Sequence, residues 1–132
     1  MNAKDLMIGD WVLHKGEIKI VISIPTEHKV ALQYEGQKYG SIYDTTPVGE
    51  IAPVLLTPEI LEANGFKEYI PGLNLMYGLG GPYIASNEEG NQWVFGLVKK
   101  DESARFPLVK ITFVHQLQHA LKLCGIDKEI VL

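Results

Sequence analysis

The sequence predicts an α+β fold: a β-rich N-terminal half, a short helix, an antiparallel sheet and a C-terminal amphipathic helix. Three observations predict it. Ile18, Ile20, Ile22 and Ile24 stand at every second position, the period of a strand. Thr57-Pro58-Glu59 opens, and Asn64-Gly65 closes, a segment built like a helix with both ends signalled. Val114, Leu117, Leu121 and Cys124 repeat at i, i+3, i+7 and i+10, one stripe of a longer helix.

In chain order, Gly9-Asp10 is a turn feeding a short strand at Trp11-Val12. Lys15-Gly16 turns the chain into the isoleucine strand, which Pro25 is expected to end. Residues 28–34 alternate again, with Val30, Leu32 and Tyr34 on one face, and residues 39–44 and 51–55 read as further strands. Thr57 offers a hydroxyl to a free amide of the first helical turn. Pro58 occupies the position where a missing N–H costs nothing, and Glu59 complements the positive helix end. Asn64-Gly65 reads as a left-handed stop. Beyond it, residues 73–77 and 83–85 flank Gly78-Leu79-Gly80-Gly81-Pro82, and Trp93, Phe95 and Leu97 share one face of the next strand. Residues 107–111 form another strand before the last helix, which Gly125 ends. Residues 126–132 read as a short terminal strand. The organisation expected is a subdomain over residues 1–56 and another over residues 57–132, either of which could contribute to one shared core.

Composition narrows the function classes. With 132 residues, the chain can bury roughly 68% of its unfolded surface, enough to fold without staples. Twelve basic against sixteen acidic residues give a net charge of -4, and Arg105 is the only arginine. Nucleic-acid affinity comes mainly from cations on phosphates, so the balance disfavours that partner. One cysteine, Cys124, excludes an internal disulfide and fits a reducing compartment. The first residues resemble no signal peptide and no apolar run approaches the length of a membrane span, so a cytoplasmic protein that contacts no membrane is expected.

Residues able to carry chemistry are few. His115 and His119, four apart, could share a metal on one helix face. Gln116 stands where a zinc protease would need glutamate, and no third ligand is near in sequence, so a solvated polar stripe of His115, Gln118, His119 and Lys122 explains them more simply. The glycines at 78, 80 and 81 precede strand rather than helix, so they fit a hairpin connection rather than a phosphate loop. Cys124 ends an apolar stripe and reads as a small hydrophobe. No cofactor is implied. Trp11, Tyr39 and Tyr43 are candidates for an exposed aromatic interaction surface, with Gln118 and Lys122 on the last helix. Lys15, Lys19, Lys29 and Lys38 could gather beside the two tyrosines if the N-terminal sheet met nucleic acid.

Two resemblances attach to particular stretches. The segments Leu6-Met7-Ile8-Gly9-Asp10-Trp11-Val12, Val54-Leu55-Leu56-Thr57-Pro58-Glu59-Ile60-Leu61-Glu62-Ala63-Asn64-Gly65-Phe66 and Val114-His115-Gln116-Leu117-Gln118 resemble, in order and spacing, a family of short uncharacterised proteins of Bacteroidetes genomes, often found near phage-like or mobile elements. That likeness implies no activity and no site residue. The first segment alone also resembles the opening turn and strand of SH3-like barrels, so an SH3-like N-terminal half is expected. Such barrels bind peptides or nucleic acids or pack on neighbouring domains.

The reading that follows is a non-enzymatic protein-interaction module. Its partner is expected to be another protein, with nucleic acid as the alternative and a metal-dependent enzyme using His115 and His119 as the third. Leu123, off the main helical stripe, hints at a second apolar contact such as a homodimer.

Overall fold

A computed structural model describes residues 1–33, 45–68, 76–78, 81–86, 92–98 and 105–132. The expected strand at residues 39–44 lies outside the described residues, as do Tyr34, Tyr39 and Tyr43. The described elements are antiparallel strands and two short helices, an α+β fold. They divide into two compact units, Met1–Val54 and Leu55–Val131, with Leu132 grouped with the first.

The first unit is a five-stranded sheet of β1 (Trp11–His14), β2 (Glu17–Thr26), β3 (Lys29–Gln33), β4 (Thr45–Pro47) and β5 (Ile51–Pro53). The strand order is β4-β3-β2-β1-β5, an open sheet among the described residues, and a 3-10 turn at Val48–Glu50 links β4 to β5. The register reverses the face that the isoleucine row suggests. Trp11 lies opposite Ile20 and Leu13 opposite Ile18, and all four are half-buried or exposed. The buried face carries Val12 and Val21, with Lys19 opposite Val12. A register shift between Val21 and Ser23 then changes the phase, so that Ile24 packs on the core of Leu6, Val12, Val21, Val30, Leu32 and Ile51. An inserted residue in a strand does this because side chains alternate with period two.

Pro25 does not end β2, which runs on to Thr26. It lies within a second register shift, between Ser23 and Thr26, where the regular ladder is already interrupted and a missing N–H breaks no regular pair.

The turn before β1 is fixed by Asp10. Its buried carboxylate accepts the Met7 N–H at 2.7 Å, while its backbone carbonyl accepts Val21 N–H at 2.9 Å. A charged acceptor makes this bond stronger than a neutral one. Asp10→Ala is expected to cost about 1–2 kcal/mol, with Asp10→Asn costing less because the amide oxygen still accepts. Urea denaturation of the two variants checks this order.

The second unit has sheet order β10-β9-β8-β7-β6, formed by β6 (Lys67–Glu68), β7 (Met76–Gly78), β8 (Pro82–Ser86), β9 (Trp93–Val98) and β10 (Arg105–Ile111). β7 and β8 pair antiparallel with Gly78 opposite Tyr83; of the expected glycine-rich connection between them, Leu79 and Gly80 lie outside the described residues. Helix α1 (Pro58–Ala63) is capped by Thr57, whose hydroxyl accepts Ile60 N–H at 3.3 Å. The left-handed residue that stops it is Gly65, at φ 86°; Asn64 stays at φ -101°. Helix α2 (Val114–Leu123) follows β10, and Gly125 at φ 70° reverses the chain after it.

Residues 126–132 form no strand. The backbone of Val131 pairs instead with the side-chain amide of Asn64, which accepts Val131 N–H at 2.8 Å and donates to Val131 C=O at 2.9 Å.

Candidate interaction site

Three rows of side chains cross the β8-β9-β10 part of the second sheet. One runs Ser86, Trp93, Ile111; the next Ile84, Phe95, Val109; the third Pro82, Leu97, Phe106. Residues paired across antiparallel strands share a face, so these rows form one largely apolar surface. Trp93, Phe95 and Ile84 are fully buried, and the Trp93 indole N–H donates to the Leu56 carbonyl at 3.3 Å. On β10 the burial fails progressively: Ile111 is 2% exposed, Val109 46% and Phe106 54%. The apolar face therefore extends to the sheet edge, and its last residues face solvent.

β10 is that edge: among the described residues only β9 pairs with it. Between Pro107 and Val109 the register shifts, and Leu108, the extra residue, is also exposed. A proline and a bulge are common guards against open-ended strand pairing. They leave the hydrogen-bonding edge interrupted, with no second strand on it among the described residues.

α2 lies beside this edge. Its core stripe is Val114, Leu117 and Leu121, all fully buried, with Ala120 flanking. A second stripe of Gln116, His119, Ala120 and Leu123, at i, i+3, i+4 and i+7, borders a shallow cleft of about 240 Å³ against Val109, Lys110 and Ile111. Leu123 is 87% exposed, so the second contact its position hints at is not made by the described chain. The first turn of α2 is held by Gln116, whose side-chain oxygen accepts the N–H groups of Thr112 at 2.7 Å and Phe113 at 3.1 Å. That is the reaching-back half of a capping box; Phe113 has no oxygen for the other half. One wall of the cleft is thereby set by a buttressed side chain.

The other candidates are dispersed. His115 is buried rather than on a solvated stripe; its ring stacks on Phe113 at 5.9 Å and meets His119 edge-on at 5.6 Å. The i, i+4 spacing accounts for the His119 contact, whereas the stacking on Phe113, the N-cap residue, is not part of that pattern. No group of three or more His, Cys, Asp or Glu able to hold a metal occurs among the described residues. Cys124, half-buried, is the C-cap of α2, and Gln118, half-buried, and Lys122, exposed, lie on a different face of α2 from the Gln116, His119, Ala120 and Leu123 stripe that borders the cleft. Trp11 is half-buried on the first sheet. Of the four lysines considered for nucleic acid, Lys19 is buried and ion-paired with Glu17 at 3.0 Å, Lys15 and Lys29 are exposed, and Lys38 lies outside the described residues.

Sequence reasoning missed the edge strand as a site. The signal was present in residues 105–111: Phe106, Leu108, Val109 and Ile111 break strict alternation, as a bulged strand does. No helix among the described residues is long and apolar enough to cross a membrane. Comparison with protein-family models, with curated protein sequences and with solved structures gives no match, so the reading of this site rests on its own residues.

Proposed function

We propose that the protein is a non-enzymatic, cytoplasmic interaction module whose partner is another protein. The observation that carries the reading is the β10 edge, which no other strand among the described residues pairs and where Phe106, Leu108, Val109 and the neighbouring Leu123 are all strongly exposed. Large apolar side chains scattered singly are ordinary on a surface, but a run of them along an edge strand calls for a partner. An SH3-like form of the first unit belongs to the same reading. It is supported by the two register shifts in β2, since bulges bend and twist a sheet toward a small barrel. The lone thiol Cys124 suits a reducing compartment.

The test is capture from a host lysate, with and without nuclease, by the wild-type chain and by a Val109→Lys, Leu123→Lys variant. Both positions are exposed, so the variant is expected to melt within a few degrees of wild type. Its recovery of a nuclease-resistant protein partner is expected to fall about tenfold or more, the loss that burying a charge in an apolar contact produces. Recovery that disappears with nuclease, or that the variant leaves unchanged, overturns the reading.

A further inference from the structure

The β10 edge also indicates what kind of partner fits it. We infer that the cleft between β10 and α2 takes an extended peptide segment of alternating acidic and apolar residues, which adds to the sheet as a strand beside β10. The inference rests on the interaction reading above and goes beyond it by naming the chemistry of the ligand.

Shape comes first. α2 projects a stripe of Gln116, Ala120 and Leu123 beside the edge strand, and the facing wall is Val109 to Ile111. A strand added at β10 would extend the sheet by about 5 Å, the spacing between neighbouring strands, and so place a side-chain row against that stripe. Backbone pairing supplies affinity in such additions and alternate side chains supply specificity. Pro107 and the bulge at Leu108 interrupt the edge, so the fit is to a short segment rather than to an open-ended sheet.

Charge comes second. Val109 pairs with Phe95 and belongs to the apolar face, whereas Lys110 pairs with Val94 and belongs to the other. A partner strand must match this alternation, apolar beside Val109 and Leu123, anionic beside Lys110. The β10 sequence holds two cations, Arg105 and Lys110, and no acid, and among the described residues no acid lines the cleft beside Lys110. This is a local reversal in a chain whose net charge is -4. The same facts disfavour a second copy of the chain as the occupant. Two β10 strands would bring like charges to one seam, and each chain repels the other through its net negative charge.

The experiment measures fluorescence anisotropy of three labelled nonapeptides with the full chain at low salt. The first alternates Glu and Val; the second replaces every Glu by Lys; the third is the acidic peptide with alternate amides N-methylated, which cannot complete a ladder. The acidic peptide is expected to bind about five- to tenfold more tightly than the basic one, the sum of a few cross-strand charge pairs. The N-methylated peptide is expected to lose binding. Lys110→Glu, an exposed substitution, is expected to reverse the preference between the first two peptides.

Equal binding of acidic and basic peptides, or undiminished binding of the methylated one, overturns the inference. If no peptide binds, yet lysate capture still depends on Val109 and Leu123, acidic strand addition falls and the interaction reading stands. If both fail, both readings fall. Concentration-dependent self-association in sedimentation velocity, abolished by Val109→Lys and Leu123→Lys, would make a second copy the occupant and also overturn the inference.

Discussion

Gly96→Ala is expected to unfold the second unit at a markedly lower denaturant concentration than wild type, with a loss of about 3 kcal/mol or more. Gly96 sits in β9 between Tyr83 on β8 and Pro107 on β10. A Cβ added there would collide with the backbone carbonyl oxygen of Phe106, and would lie 2.6 Å and 2.8 Å from Cε1 and Cζ of the Tyr83 ring. The ring lies over the glycine and is itself buried, so moving it opens a void. The carbonyl cannot swing away as a side chain can; clearing it means shifting β10 against β9. Inserting one methyl group into a well-packed region costs about 1–3 kcal/mol, and backbone obstruction places this site at the upper end. The control is Tyr83→Ala combined with Gly96→Ala. Relief of the aromatic clash alone leaves the Phe106 carbonyl in place, so the double variant should remain at least as unstable as the single one. Recovery of stability in the double variant would identify the ring, not the strand, as the obstruction. Because β10 is the proposed docking edge, Gly96→Ala should also weaken peptide binding under conditions where the chain is still folded.

The parts of the fold that were legible in the sequence are those fixed by short-range chemistry. Thr57 and Pro58 start α1 because one hydroxyl and one missing N–H solve a local problem at a helix end. The stripe of Val114, Leu117 and Leu121 is buried because helical geometry puts these residues on one side whatever they pack against. What failed depends on choices that period alone leaves open. The isoleucine row of β2 identifies a strand, but a period-two pattern with Lys19 and Val21 in the other phase cannot say which face is inward. The aliphatic stem of Lys19 can line apolar surface while its ammonium reaches Glu17, and a hydropathy pattern counts that residue as polar. Pro25 misleads for a similar reason: it interrupts a regular ladder, and here the ladder is already irregular. The candidate site was the least legible feature. It depends on which strand ends the sheet and on a bulge, both decided by pairing between distant segments.

Asn64 shows how a residue read as a helix stop can have a larger role at long range, and its replacement carries the second large effect. The side chain is buried and makes three hydrogen bonds. Its amide nitrogen donates to the carbonyls of Ile60 and Val131, both at 2.9 Å, and its oxygen accepts Val131 N–H at 2.8 Å. The carboxamide thus pairs with Val131 as a neighbouring backbone would, and ties the segment after α2 to the end of α1 across 67 positions of sequence. Asn64→Ala removes all three bonds and leaves the polar groups of Val131 to find water; a loss of about 2–3 kcal/mol is expected. Asn64→Asp is the sharper test, since it keeps the shape and reverses one half of the chemistry. An ionised carboxylate still accepts from Val131 N–H, but its second oxygen faces the carbonyls of Ile60 and Val131 with no proton to offer. Repulsion among three acceptors in a buried place should make this variant less stable than Asn64→Ala at neutral pH. Lowering the pH protonates the introduced carboxyl and restores one donor, so part of the deficit should disappear in acid relative to wild type. Denaturant midpoints of the three proteins at neutral and acidic pH decide the matter. If Asn64→Asp equals wild type at neutral pH, the amide donors contribute nothing and Asn64 acts only as a turn residue. If Asn64→Ala is as damaging as Asn64→Asp at both pH values, the cost lies in lost bonds and cavity rather than in opposed acceptors.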